Sequence, residues 1–139
     1  MTIMIKEYHT KKRCKYMLKL HIILVTKYRK PILVGDIDND VKQIIYEISK
    51  MQDSLFTIES METDENHIHI LADIDPTVSA TSIISRIKQV STNRMWKKYK
   101  EELKIHYWNE NTLWSDGYFV CSIGDANMQT IKKYIEEQG

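Results

Sequence analysis

The sequence predicts an α+β fold of the ferredoxin-like, split βαβ (RRM-like) kind: an antiparallel sheet with helices on one face, plus a C-terminal helix that carries a tyrosine. Three observations lead there. Short segments alternate apolar and polar residues with period two, longer segments between them repeat apolar residues at helical spacing, and the order along the 139-residue chain is β-α-β-β-α-β followed by one more helix.

The first strand is read over residues 16–26, YMLKLHIILVT, where Tyr16, Leu18, Leu20, Ile22 and Leu24 share one phase before the polar KYRKP and Pro31 end it. Gly35-Asp36 then offers a helix start. Ile37, Val41, Ile44, Ile45, Ile48 and Met51 mark a helix over about 37–52. Residues 55–62 and 67–74 read as two strands joined by the polar turn Thr63-Asp64-Glu65-Asn66. Ser79 or Thr81 can cap a helix over about 80–99, with Ile83, Ile84, Ile87 and Val90 inward. GYFVCSI, 117–123, is the fourth strand, and Gly124-Asp125 opens a last helix containing Met128, Ile131 and Ile135. Four Gly and two Pro leave no low-complexity linker, so a single domain over 1–139 is expected.

With 42% hydrophobic and 28% charged residues the composition is that of an ordinary globular protein. No apolar run approaches the ~18 to 20 residues that span a bilayer, and MTIMI is too short for a signal peptide, so the expectation is a cytoplasmic protein without a membrane partner. Cys14 and Cys121 form no CxxC pair, which argues against a zinc ribbon or a redox motif. The net charge of +1 conceals segregation: residues 1–34 hold nine Lys and Arg against one acid, 35–75 hold two against eleven, and 76–104 hold seven against two. Two basic blocks around an acidic one could fold into a polyanion groove, or could simply dissolve into a mixed-charge surface.

The run Glu65-Asn66-His67-Ile68-His69-Ile70-Leu71 sets two histidines one residue apart in a strand. Ile68, Ile70, Ala72 and Ile74 supply the apolar face, so His67 and His69 must project from the opposite one. Imidazoles about 6.5 to 7 Å apart along one face can converge on a divalent cation such as manganese, zinc or magnesium, although an HxH alone is a weak motif. In the last helix, Tyr134 and Gln138 are four residues apart on one edge of the Ile131–Ile135 stripe. They read either as boundary packing or as a nucleophile and a metal ligand acting together. A phenol, with its ordinary pKa near ~10, needs a base, a cation or a metal to attack at neutral pH.

Four stretches in fixed order, VTKYRKPIL at 25–33, HIHIL at 67–71, LWSDGYFV at 113–120 and KKYIEEQ at 132–138, resemble the HUH-type (His-hydrophobic-His) single-tyrosine transposases of the smallest insertion sequences. The resemblance covers nearly the whole chain. It implies that His67, His69 and Gln138 hold a divalent metal, Mg2+ or Mn2+, and that Tyr134 attacks single-stranded DNA to form a 5′-phosphotyrosine and a free 3′-hydroxyl. Hairpin-marked element ends would be the substrate. The assembly implied is a homodimer in which the tyrosine helix of one subunit can complete the metal site of the other. Arg13, Lys27, Arg29, Lys88 and Arg94 are the candidate DNA contacts. His21, on the outer phase of the first strand, reads as a nucleic-acid contact or a surface histidine, and Trp108 and Trp114 as base-stacking platforms or as plugs of a core or interface. The sequence departs from the family pattern at Glu65-Asn66 and at Asp116, which adds negative charge near the expected DNA contacts.

Rival readings are a catalytically silent or domesticated hairpin-DNA-binding module on the same fold, an RNA-recognition domain, and a phosphoesterase. The strands lack an RNP1-like aromatic pattern, and a phosphoesterase with paired HxT or HxS motifs would be missing half its apparatus.

Overall fold

The computed structural model describes residues 9–11, 14–16, 18–122 and 128–137. Its elements are β1 (His9–Lys11), β2 (Cys14–Tyr16), β3 (Leu18–Val25), a 3-10 turn (Lys27–Arg29), α1 (Gly35–Ser49), β4 (Phe56–Asp64), β5 (His67–Ile74), α2 (Ala80–Lys98), α3 (Lys100–Tyr107), β6 (Phe119–Ser122) and α4 (Met128–Glu137). β1 and β2 form a small antiparallel pair that the alternation had not suggested. The main sheet has the order β4-β5-β3-β6, and every pairing in it is antiparallel.

The strands lie close to their predicted places. β5 alternates half-buried and buried residues along its whole length, with Ile68, Ile70, Ala72 and Ile74 pointing into the core. Leu24, Ile22 and Leu20 of β3 stand opposite Ile68, Ile70 and Ala72, so one sheet face is continuously aliphatic. Val41, Ile45 and Ile48 of α1 and Ile83, Ile84 and Ile87 of α2 cover that face. The two-strand connection before β5 is tighter than expected, because β4 runs on to Asp64 and leaves only Glu65 and Asn66 in the turn.

Two local details differ from the sequence reading. α1 begins two residues early: Val34 is its N-cap with no side-chain bond, and Gly35 takes a positive φ of 57°, a conformation that glycine adopts without steric cost. α2 ends at Lys98, and Tyr99 opens a separate helix, α3, whose Leu103 and Tyr107 are buried in the main core. The Ser79 cap is as expected, its Oγ accepting from the Ser82 amide at 3.1 Å. The expected start of the last helix at Gly124-Asp125 lies outside the described residues.

β3 is buried on both faces at its C-terminal end, where Ile22, Ile23, Leu24 and Val25 are all inaccessible. A strand with one solvated face alternates, but one covered on both sides reads as a continuous apolar run. The cover on the second face is α4, whose Tyr134 and Ile135 pack on Ile23 and Val25. No helix among the described residues is long and apolar enough to cross a membrane.

The segregated charges meet across the helix layer: Arg86 pairs with Asp53 at 3.1 Å, Arg94 with Glu47 at 3.1 Å and Lys98 with Asp40 at 2.7 Å. Such exposed pairs contribute little stability. They nevertheless direct part of the second basic block toward the acidic one rather than toward a common groove.

The burial gradient along β3 has a measurable consequence. Ile22→Ala, at a fully buried position, is expected to cost roughly 2 to 5 kcal/mol. Leu18→Ala, at a residue 40% exposed, should cost under about 1 kcal/mol. Chemical denaturation reads both, and equal losses would contradict this packing.

Candidate active site

Three of the sequence stretches singled out above meet at one end of the sheet. The Thr26 amide donates to the Asn66 carbonyl at 2.9 Å, the Leu33 amide to the Glu65 carbonyl at 2.9 Å, the Lys27 amide to the Leu113 carbonyl at 2.9 Å, and the Ser115 amide to the Val25 carbonyl at 2.8 Å. The buried Thr26 hydroxyl donates to the Lys30 carbonyl at 2.8 Å, which closes the loop on itself. Within that loop Tyr28 and Arg29 hold φ values of 58° and 52°. Consecutive left-handed residues other than glycine are strained, and the Tyr107 hydroxyl, donating to the Lys27 carbonyl at 3.1 Å, braces the turn from α3.

His67 and His69 project from the β5 face opposite the α1–α2 layer, half-buried, as the pleat requires. Across the strands, Val25 and Asp64 flank His67, and Ile23 and Glu62 flank His69. Burial depresses the pKa of both rings below their ordinary value near 6.5, with the Asp64 and Glu62 charges opposing it. Both imidazoles are therefore neutral at neutral pH, which is the state that ligates a metal. His67 Nδ1 lies 3.0 Å from the Asn66 side-chain oxygen. An amide oxygen only accepts, so the proton sits on Nδ1 and the Nε2 lone pair is unencumbered.

Tyr134 lies on the same sheet face. Its ring packs on Phe119, with centroids 5.3 Å apart and planes tilted 46°, and on Ile23 and Val25, the residues directly opposite His69 and His67. β6 flanks β3 with Phe119 opposite Ile23, so the tyrosine sits over strands that are one and two spacings, about 5 to 10 Å of backbone, from His69. Its hydroxyl is buried with no hydrogen-bond partner among the described residues. Burial alone pushes its pKa up to about 12. A buried hydroxyl without a partner is costly in a native structure, so this phenol calls for a polar group that the described residues do not supply.

The remaining candidates fall in different surroundings. Gln138 and Arg13 lie outside the described residues. The Arg29 guanidinium donates to the Glu136 carbonyl at 2.6 Å and to the Ile135 carbonyl at 3.5 Å, so it caps the C-terminus of α4, where a cation also complements the helix dipole. Lys27 is paired with the Asp116 carboxylate at 3.2 Å, chiefly through a hydrogen bond that raises its pKa. The Lys88 ammonium donates to the carbonyls of Ser115, Asp116 and Gly117 at 2.9, 3.2 and 2.9 Å, and burial lowers its pKa. It thus pins the 115–117 segment. Arg94 faces Glu47 on the helix layer. Trp114 is a core plug, buried and donating its indole N–H to Ser91 Oγ at 2.9 Å, while Trp108 is 79% exposed.

One residue that sequence reasoning undervalued is His21. It shares the His69 face, and its Nδ1 lies 2.8 Å from His69 Nε2 with the ring centroids 5.0 Å apart. The available signal was its phase on the first strand, one step out from the apolar set, but the pairing register that brings it to His69 was not readable.

Comparison with known proteins assigns the chain to a family. The sequence profile of the family described as "Transposase IS200 like" matches residues 14–138. The chain is 32% identical over 123 residues to the ISDra2 transposase TnpA of Deinococcus radiodurans, covering 88% of this chain and 85% of that protein. It is 30% identical over 130 residues to the transposase for insertion sequence element IS200 of Salmonella typhimurium, covering 94% of this chain and 80% of the relative. Among solved structures, a Deinococcus radiodurans R1 protein assigned as a transposase superposes with a TM-score of 0.80 at 25% identity, covering 92% of this chain and 95% of that one. A REP-associated tyrosine transposase bound to a REP hairpin shares the fold at a TM-score of 0.56 and 13% identity, over 91% of this chain and 69% of its own. The chain therefore belongs to the IS200-like single-tyrosine transposases, DNA-cleaving enzymes of insertion sequences.

Proposed function

We propose that this transposase nicks and rejoins single-stranded DNA at hairpin-marked element ends through a 5′-phosphotyrosine on Tyr134, with His67, His69 and Gln138 as ligands of a magnesium or manganese ion. The observation that carries the reading is the buried Tyr134 hydroxyl, without a hydrogen-bond partner among the described residues, on the sheet face that presents two neutral imidazoles. The donor chemistry suits a divalent cation: two neutral imidazoles stand two residues apart on one face of β5, and His67 Nε2 is unencumbered. When bound, such an ion supplies a Lewis acid that polarises a non-bridging phosphate oxygen.

Tyr134 forms the new bond. Its phenol oxygen attacks phosphorus and loses its proton, the bond from phosphorus to the 3′ oxygen breaks, and that oxygen leaves as a hydroxyl after taking up a proton. With its pKa pushed up to about 12, the hydroxyl is protonated at neutral pH, so attack requires a base or a cation to take up the developing charge. The covalent link retains the phosphodiester energy, so an incoming 3′-hydroxyl can reverse the step. The sheet order β4-β5-β3-β6 supports the split βαβ, ferredoxin-like plan for this site. α4 resting on its own chain's β3, latched by Arg29, supports action within one protomer of a homodimer. Lys27 and Arg29 border the His face and are the DNA contacts we favour, whereas Lys88 pins the 115–117 segment and Arg94 faces Glu47 on the helix layer.

The central test incubates the protein with labelled single-stranded hairpin DNA and manganese. A covalent adduct stable in denaturing gel is expected, reduced to background by Tyr134→Phe, by His67→Ala and by a chelator. Adduct formed by the Phe variant would identify another nucleophile, and hairpin binding without any adduct would favour a silent binding module.

Acidification provides a second check. Because both histidines titrate below 6.5 in the folded chain, manganese binding should persist at pH 6.5 and fall only at lower pH. Stability should decline in the same window, since the unfolded chain takes up protons that the folded rings refuse. Binding already halved at pH 7 would contradict their burial.

Asp116 competes for Lys27. Asp116→Asn is expected to tighten single-stranded DNA binding and to steepen the slope of log K against log salt by about 0.7, the contribution of one added phosphate contact. An unchanged slope would remove Lys27 from the interface.

A further inference from the structure

We propose that His21 is a positioning residue for His69, holding that ring's proton on Nε2 so that Nδ1 keeps its lone pair for the metal. The inference rests on the reading of His67 and His69 as ligands. His21 stands opposite Leu71 in the β3–β5 register, two pairs beyond His69, so His69 lies between His67 and His21 on the same sheet face. The separation of 2.8 Å between His21 Nδ1 and His69 Nε2 is that of a hydrogen bond.

With one ring proton on each, two bonded imidazoles have two possible proton arrangements, and they are not equivalent for an ion. If His21 donates, the His69 Nε2 lone pair is consumed and its proton sits on Nδ1, so no lone pair is left to ligate. If His69 donates from Nε2, its Nδ1 is bare, and His21 accepts at Nδ1 while carrying its own proton on Nε2. Only the second arrangement keeps both the hydrogen bond and a ligating nitrogen. His67 follows the same logic, its proton on Nδ1 committed to Asn66 and its Nε2 open. Each ring would then have one nitrogen held by a neighbour and the other presented to the cation, the arrangement that fixes ligand orientation and raises basicity.

Long-range proton–nitrogen NMR of the metal-free protein at neutral pH reads the tautomer directly and needs no variant. The expected result is His69 protonated on Nε2, and protonation on Nδ1 would overturn the proposal. Calorimetric titration with manganese then compares His21→Leu, which removes the acceptor, with His21→Asn, whose amide oxygen can occupy the Nδ1 position. Affinity should fall about 10- to 100-fold in the Leu variant and stay within a few-fold of wild type in the Asn variant. If His21→Leu does not fold, the tautomer and the Asn variant decide. Equal affinity in wild type and His21→Leu would remove the role of His21 alone, whereas failure of the wild-type protein to bind manganese would overturn the reading of the whole site and this proposal with it.

Discussion

The pleat of β5 is the constraint on which the rest of this molecule depends. Hydrogen-bonded on both sides, to β3 and to β4, the strand has no freedom to slip, because a shift of one residue would drive both histidines into the core and four aliphatic side chains out of it. The cost of burying two imidazoles among Val41, Ile45, Ile84 and Ile87 would far exceed any local preference. Burying the alternating isoleucines therefore also aims the histidines, and the same hydrophobic term that stabilises the sheet orients the candidate ligands.

The second sheet face derives its character from what covers it. Over β4, β5 and His21 it carries polar and titratable groups, while over the C-terminal end of β3 and the start of β6 it carries Ile23, Val25 and Phe119. α4 docks on the apolar half, and so the phenol of Tyr134 is held at the boundary with the polar half. This division explains two properties at once: the helix has enough apolar contact to rest on the sheet, and its hydroxyl is dry enough to have a high pKa, with no acceptor among the described residues. The Arg29 contact to the last carbonyls of α4 adds a charged latch from a turn that is itself strained at Tyr28 and Arg29.

Charge is distributed by pairing as much as by function. The acidic middle of the chain and the basic α2 segment lie against each other on the helix layer, where Arg86, Arg94 and Lys98 find carboxylates. Lys88 is occupied with backbone carbonyls. The basic groups that border the histidine face, Lys27 and Arg29, are likewise engaged, so nucleic acid arriving there must exchange existing contacts for phosphate contacts. Exposed pairs are weak enough for such exchange.

Much was determined by sequence alone: strand and helix types, the boundaries of β5, the Ser79 cap, and the side of the sheet on which His67 and His69 emerge. These follow from periodicity among neighbouring residues, which the chain carries in any context. Several features were decided only by tertiary structure. They include the early start of α1 at a positive-φ glycine, the break at Tyr99, the double burial of β3, and the meeting of His21 with His69 across a separation of 48 residues. They also include the commitment of Arg29 and Lys88 to carbonyls. A side chain's phase along its own strand is local, but its partner on another strand depends on register, and register is set by the packing of the entire core.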